Sequence, residues 1–274
     1  MPVQHLSSLT TVMSSIYPLP QRFDHGESCL YGKNILVTGA ASDLGHSLCA
    51  GFARAGAMVV MLDRREKTMT GLYDDIVAEG CAEPILIALD LTKANNEHMD
   101  TLAAGLSDQL PRLHGLVHLP LTAAPLTPTI LSKTETWTQA WELLFMKPML
   151  LTRALLPLLE KTESASVIFP GLAQGRAGKA YWGAPGAAFA AIENLSQTLA
   201  HEYDDIRFNT LDPGRINSAL RHKYYPGEAK SELRDFNDPL LIDYFIFLLS
   251  DQDRNITGQQ LEVPDSGNIE SQGK

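Results

Sequence analysis

The segment Asn34-Ile-Leu-Val-Thr38 is a short apolar run rich in branched side chains, and after Gly39 the apolar positions change to helical spacing at Leu44, Leu48 and Phe52. Strand, tight turn and helix follow from that change of period. Further apolar runs at Ala57 to Leu62, ending on Asp63, and Pro84 to Leu89, ending on Asp90, read as strands two and three. Leu113 to Leu119, Ala165 to Phe169, Ile206 to Leu211 and Gln260 to Val263 read as four more. Helical stretches separate them, so the pattern predicts a parallel sheet with helices on both faces. The fold class expected is a single-domain α/β, doubly wound Rossmann-type sheet.

Between strands four and five, a helix is expected from about Trp137 to Glu160, kinked at Pro148, which lacks an N–H. A second long helix is expected from Gly186 to Tyr203, where Ala187, Ala188, Ala191 and Leu195 share one stripe. The charged stretch Ala219 to Asp238, with Pro226 and Gly227, reads as a loop or short helices where a lid over a substrate would sit.

A chain of 274 residues with 45% hydrophobic content is long enough for one sizeable core. The expected division is an N-terminal extension over 1–30, the α/β domain over 31–267 and a tail over 268–274. The net charge of −10 argues against a nucleic-acid partner, since phosphate binding needs a basic field. Three scattered cysteines, Cys29, Cys49 and Cys81, suit a reducing compartment and supply no metal-ligand set. The longest apolar runs fall short of the ~20 residues of a membrane span, and the first thirty residues lack a secretory pattern. A cytoplasmic protein without membrane, nucleic-acid or metal partners is expected.

The turn Thr38-Gly-Ala-Ala-Ser-Asp-Leu-Gly45 lies between strand one and helix one, where amides and the helix dipole meet a pyrophosphate. Asp63, at the end of strand two, stands where a carboxylate accepts bonds from an adenosine ribose. With these features the chain resembles the short-chain dehydrogenase/reductase family from roughly Tyr31 to Gly267. Thr38, Gly39 and Gly45 match its Thr-Gly-x-x-x-Gly-x-Gly signature, with Asp43 in place of the middle glycine. The resemblance implies a dinucleotide site made of Thr38, Gly39, Ser42, Asp43, Leu44, Gly45, Asp63, Arg64, Asp90, Leu91, Pro213 and Gly214. Asp90 and Leu91 fall at the adenine contact, and Asp212-Pro-Gly214, followed by Ser218, falls at the nicotinamide border.

The same alignment puts Leu144, Leu172, Pro185 and Phe189 where relatives carry the catalytic Asn, Ser, Tyr and Lys, and Leu119-Pro-Leu121 where they carry Asn-Ala-Gly. Reduction of a carbonyl needs a proton delivered at oxygen, and none of those four side chains holds one. The expectation is therefore a non-catalytic protein that senses a nucleotide or binds a protein partner. The alternatives are an NAD(P)-dependent oxidoreductase using displaced groups, and a ligand-free structural subunit. Tyr181 falls a turn early for a replacement acid, and His118 reads as a core histidine. Asp43 is expected to cap helix one and weaken dinucleotide binding, with NAD favoured over NADP because Asp63 repels a 2′-phosphate, a preference that Arg64 and Arg65 reduce. Homo- or hetero-oligomers are expected through the long helices around 137–160 and 186–203.

Overall fold

The computed structural model describes residues 28–122, 125–252 and 254–264. The N-terminal extension up to residue 27 and the C-terminal tail lie outside the described residues. Seven parallel strands form one sheet in the order β3-β2-β1-β4-β5-β6-β7. They are β1 (Asn34–Thr38), β2 (Met58–Asp63), β3 (Ile85–Ala88), β4 (Gly115–Val117), β5 (Ala165–Pro170), β6 (Ile206–Asp212) and β7 (Gln260–Glu262). The seven strands and the helix-covered sheet are those the apolar runs predict. Every crossover carries at least one helix, as parallel pairing requires. Val37 pairs with both Met61 and Val117, so β1 and β4 lie side by side where the winding reverses. A crevice outside the carboxyl ends of the strands opens at such a reversal.

Alternation along each strand feeds two cores. Ile35, Val37, Val59, Met61 and Ile168 face one side, covered by α1 (Asp43–Arg54), α2 (Glu66–Ala78) and α9 (Pro239–Leu249). Leu36, Val60, Leu62, Val167, Phe169 and Phe208 face the other, under α3 (Asn96–Gln109), α4 (Thr134–Trp141), α5 (Lys147–Leu159) and α7 (Gly183–Glu202). Among the described residues no helix is long and apolar enough to cross a membrane.

The long helix before β5 differs from expectation in kind. The path runs from α4 through a π-helical turn, Glu142–Met146, into α5, whose first turn contains Pro148. Pro148 has no N–H to give to the carbonyl four residues back, and in the wider turn just before it the Lys147 amide bonds the Glu142 carbonyl, five residues back. Pro157 also lies within α5. The helix after β5 starts at Gly183, three residues before the expected Gly186, so Pro185 occupies its third position. A side chain at Gly183 would press within 3.1 Å of the Trp137 ring, which is how α4 and α7 come close. The lid segment folds into α8 (Ala219–Tyr224) and a short 3₁₀ turn, Lys230–Glu232, tied by a bridge between Ile216 and Arg234.

Candidate active site

A cleft of about 550 Å³ runs across the carboxyl ends of β1, β2, β4, β5 and β6 and under α8. Of the residues placed in the dinucleotide site by sequence, Gly39, Ser42, Asp43, Leu44, Asp63, Arg64, Asp90, Leu91, Pro213 and Gly214 line it. Thr38 and Gly45 do not; they build its floor. The Thr38 hydroxyl accepts the Leu119 amide at 3.1 Å, locking β1 to the end of β4. Gly39 turns the chain with φ of 68°, and a Cβ on Gly45 would lie 2.2 Å from the Gly39 carbonyl oxygen. Only glycine lets helix α1 approach the turn so closely.

Two acidic residues behave differently from expectation. The cap of α1 is Ser42, whose hydroxyl accepts from the Gly45 amide, and not Asp43. Asp43 starts the helix and its carboxylate accepts the Ala219 amide at 3.1 Å, tying α8 to the phosphate turn. Capping by serine satisfies one amide and releases the aspartate to reach across the cleft. Asp63 is buried and already partnered: it accepts from the Ala41 amide at 3.3 Å and from the Arg65 amide and guanidinium at 2.9 and 3.2 Å. Arg64 remains mostly exposed at the rim, 3.8 Å from Asp90. Among the described residues no cluster of His, Cys, Asp or Glu suits a metal ion.

The four apolar positions are scattered. Leu172 and Phe189 line the cleft, whereas Leu144 and Pro185 do not. Leu144 sits in the π turn with its side chain in the core, and its neighbour Leu143 faces the cleft instead. Tyr181 has φ of 74°, is 56% exposed and lies outside the cleft lining, so it supplies no acid. His118 is buried, stacked on Phe169 at 5.1 Å and bonded to the Thr152 hydroxyl at 2.8 Å. Burial drives its pKa down to about 3, which keeps the imidazole neutral.

Sequence reasoning missed two features of the cleft. Trp182 and Tyr224 meet with tilted rings, centroids 4.8 Å apart, to form an aromatic wall, and Tyr225 carries the Arg221 guanidinium over its ring at 4.6 Å. The lid itself is held by Glu228, which accepts from Arg221 at 2.7 Å and Arg215 at 2.8 Å. These bonds hold its carboxyl down at about 2. The second feature is a buried ion cluster beneath Leu172. The Arg176 guanidinium meets Glu193 at 2.8 Å, Glu262 at 3.4 Å and Asp212 at 3.8 Å. The Leu172 amide points to Glu193 at 3.4 Å and the Ala173 amide donates to Asp212 at 2.8 Å. Arg176, Glu193 and Asp212 come from three different elements, and no local motif joins them.

This sheet order, glycine turn and cleft define a nicotinamide-dinucleotide fold, and residues 33–229 match the model of the short chain dehydrogenase family. The chain belongs to that family. It is 31% identical over 238 residues to the uncharacterized oxidoreductase YciK of Escherichia coli strain K12, covering 86% of this chain and 94% of that protein. A short chain dehydrogenase of Salmonella enterica serovar Typhi superposes with a TM-score of 0.85 at 29% identity, covering 88% of this chain and 99% of the other. One from Shigella flexneri 2a, complexed with NADP, gives 0.82 at 31% identity, covering 86% and 99%. These relatives overturn the expectation of a non-catalytic protein: those spanning nearly the whole chain include an oxidoreductase and a dehydrogenase holding NADP.

Proposed function

We propose that the protein is an NADP-dependent oxidoreductase that interconverts a carbonyl and an alcohol, with a proton donor other than the family's. The observation that carries this reading is the retained cleft. The α1 amides of Asp43 and Leu44, which have no acceptor inside their own helix, stand at its wall, and the turn beneath them is shaped by Gly39 and Gly45. Those features fit a pyrophosphate. Bound there, a dihydronicotinamide would supply the hydride. Leu172, Phe189, Trp182 and Tyr224 form the substrate side and exclude water, which favours an apolar or aromatic carbonyl compound.

NADP replaces the expected NAD because the charge at Asp63 is already answered by Arg65, while Arg64, mostly exposed and held only by a long ion pair to Asp90, stands at the rim within reach of a 2′-phosphate. NADPH should raise the melting temperature more than NADH at equal concentration, since a ligand of the native state stabilises it by mass action. Arg65→Ala, which uncovers the Asp63 carboxylate, should weaken NADPH at least about tenfold relative to NADH, roughly 1.4 kcal/mol. NADPH oxidation by a panel of aromatic aldehydes and quinones then tests turnover. A chain that neither binds a dinucleotide nor transfers hydride would be no oxidoreductase.

We also propose that two copies pair through α4 and α7. Trp141 is 44% exposed and lies with Trp137, Ala184 and Ala187 around a shallow groove shared by those helices. Light scattering should give a dimer for the parent and a monomer for Trp141→Glu; a monomeric parent removes this reading.

A further inference from the structure

With Leu172 and Phe189 unable to hold a proton, the cleft still needs one, and the ion cluster beneath it sets three carboxyl groups, Glu193, Asp212 and Glu262, around the single guanidinium of Arg176. Two carboxyl groups bracket position 172 through consecutive amides: Leu172 N–H points to Glu193 and Ala173 N–H to Asp212. Glu193 stays behind the wall, on α7 one helical turn past Phe189. Asp212, at the carboxyl end of β6, lines the cleft itself together with Leu172 and Phe189. Its two oxygens are aimed by the Ala173 amide and by the Gly214 amide at 2.9 Å, so the group is fixed in direction as an acid must be.

We propose that Asp212 carries the proton exchanged with the substrate oxygen, with Arg176 and Glu193 as its positioning residues; this rests on the oxidoreductase reading above. In the reducing direction the carbonyl carbon accepts a hydride from the reduced nicotinamide dinucleotide, its π pair moves to oxygen, and oxygen takes the Asp212 proton. The alcohol leaves, the dinucleotide is oxidised, and Asp212 regains its proton from water. In the opposite direction the Asp212 carboxylate removes the hydroxyl proton.

The surroundings favour this assignment over other groups in the cleft. Facing Asp212 are Arg176 of α6 (Ala173–Ala177), Glu193 of α7, Arg221 of α8 and Glu262 of β7. Desolvation raises the carboxyl pKa of both Asp212 and Glu193; the Gly214 and Ala173 amides and then Arg176 pull the other way on Asp212, and Arg176 does so on Glu193. That shift moves a carboxyl toward the range in which a general acid works. His118 is held neutral, and Tyr225 lies under the Arg221 guanidinium on the lid.

Infrared difference spectroscopy on the wild-type protein without cofactor tests where the proton sits, independently of turnover. A protonated-carboxyl stretch should disappear as pH rises, and should shift on labelling with isotopic aspartate but not isotopic glutamate. Asp212→Asn should abolish that band and slow NADPH oxidation by the best aldehyde or quinone at least about a hundredfold, with NADPH affinity unchanged. A band that follows glutamate, no band at all, or an Asp212→Asn protein that keeps turnover while Tyr225→Phe loses it would each overturn the assignment. Wild-type protein showing the aspartate band but no hydride transfer would instead sink the oxidoreductase reading alone.

Discussion

Asp43→Asn is expected to tighten NADPH binding about thirtyfold while leaving the fold intact. The residue stands where relatives have a glycine, at the mouth of the phosphate turn, and its carboxylate lines the cleft. A unit charge about 4 Å from a phosphate oxygen costs roughly 4 kcal/mol at an effective dielectric near 20. Asp43 is only partly buried, so solvent halves that to about 2 kcal/mol, which converts to about thirtyfold in affinity. Asparagine keeps the oxygen that accepts the Ala219 amide and removes only the charge. The loss of a favourable charge at the α1 N-terminus costs about 0.5 kcal/mol of stability, too little to unfold the protein. Titration calorimetry at low and high salt measures the change, and the gap between variant and parent should narrow as salt rises. An unchanged dissociation constant would mean that the carboxylate turns away from the phosphates when they bind.

Asp43 also shows how far the sequence reaches. Its position in the turn is legible from spacing alone, as are the strands, because short continuous apolar runs ending at Gly39, Asp63 and Asp90 admit few other arrangements. Its partner is not: the Ala219 amide is 176 residues away, and no pattern along the chain pairs them. The apolar character of positions 144, 172, 185 and 189 is equally plain, but the site is more than those four side chains. Leu144 does not even face the cleft, because the π turn before Pro148 rotates Leu143 into that place. Along the chain Asp212 is distinguished only as the residue before Pro213 and Gly214. Its chemistry comes from Arg176 and Glu193, which the sheet and two helices bring to it, and such a cluster has no period or spacing that a sequence can display.

Arg176→Met should destabilise the protein by about 3–5 kcal/mol at neutral pH, lowering the melting temperature by about 10 °C. The guanidinium is nearly buried and is bonded to Glu193, itself buried, at 2.8 Å. Removing it leaves Glu193 and Asp212 as carboxylates in a low-dielectric pocket with little to offset their desolvation, and that uncompensated charge costs more than the lost pair was worth. The pH dependence follows from the direction of the shifts. Both carboxyl groups have folded-state pKa values raised by desolvation, so between the ordinary carboxylate range and the raised values the native protein binds more protons than the unfolded chain. Stability therefore falls as pH rises through that window and is recovered on acidification. Without Arg176 both values rise further, the window widens, and the deficit should shrink by more than half on going from about pH 7.5 to about pH 5. Calorimetric melting of parent and variant at the two pH values decides the matter: an equal loss at both would mean that Arg176 acts through packing, and that Glu193 and Asp212 do not share a proton-holding site with it.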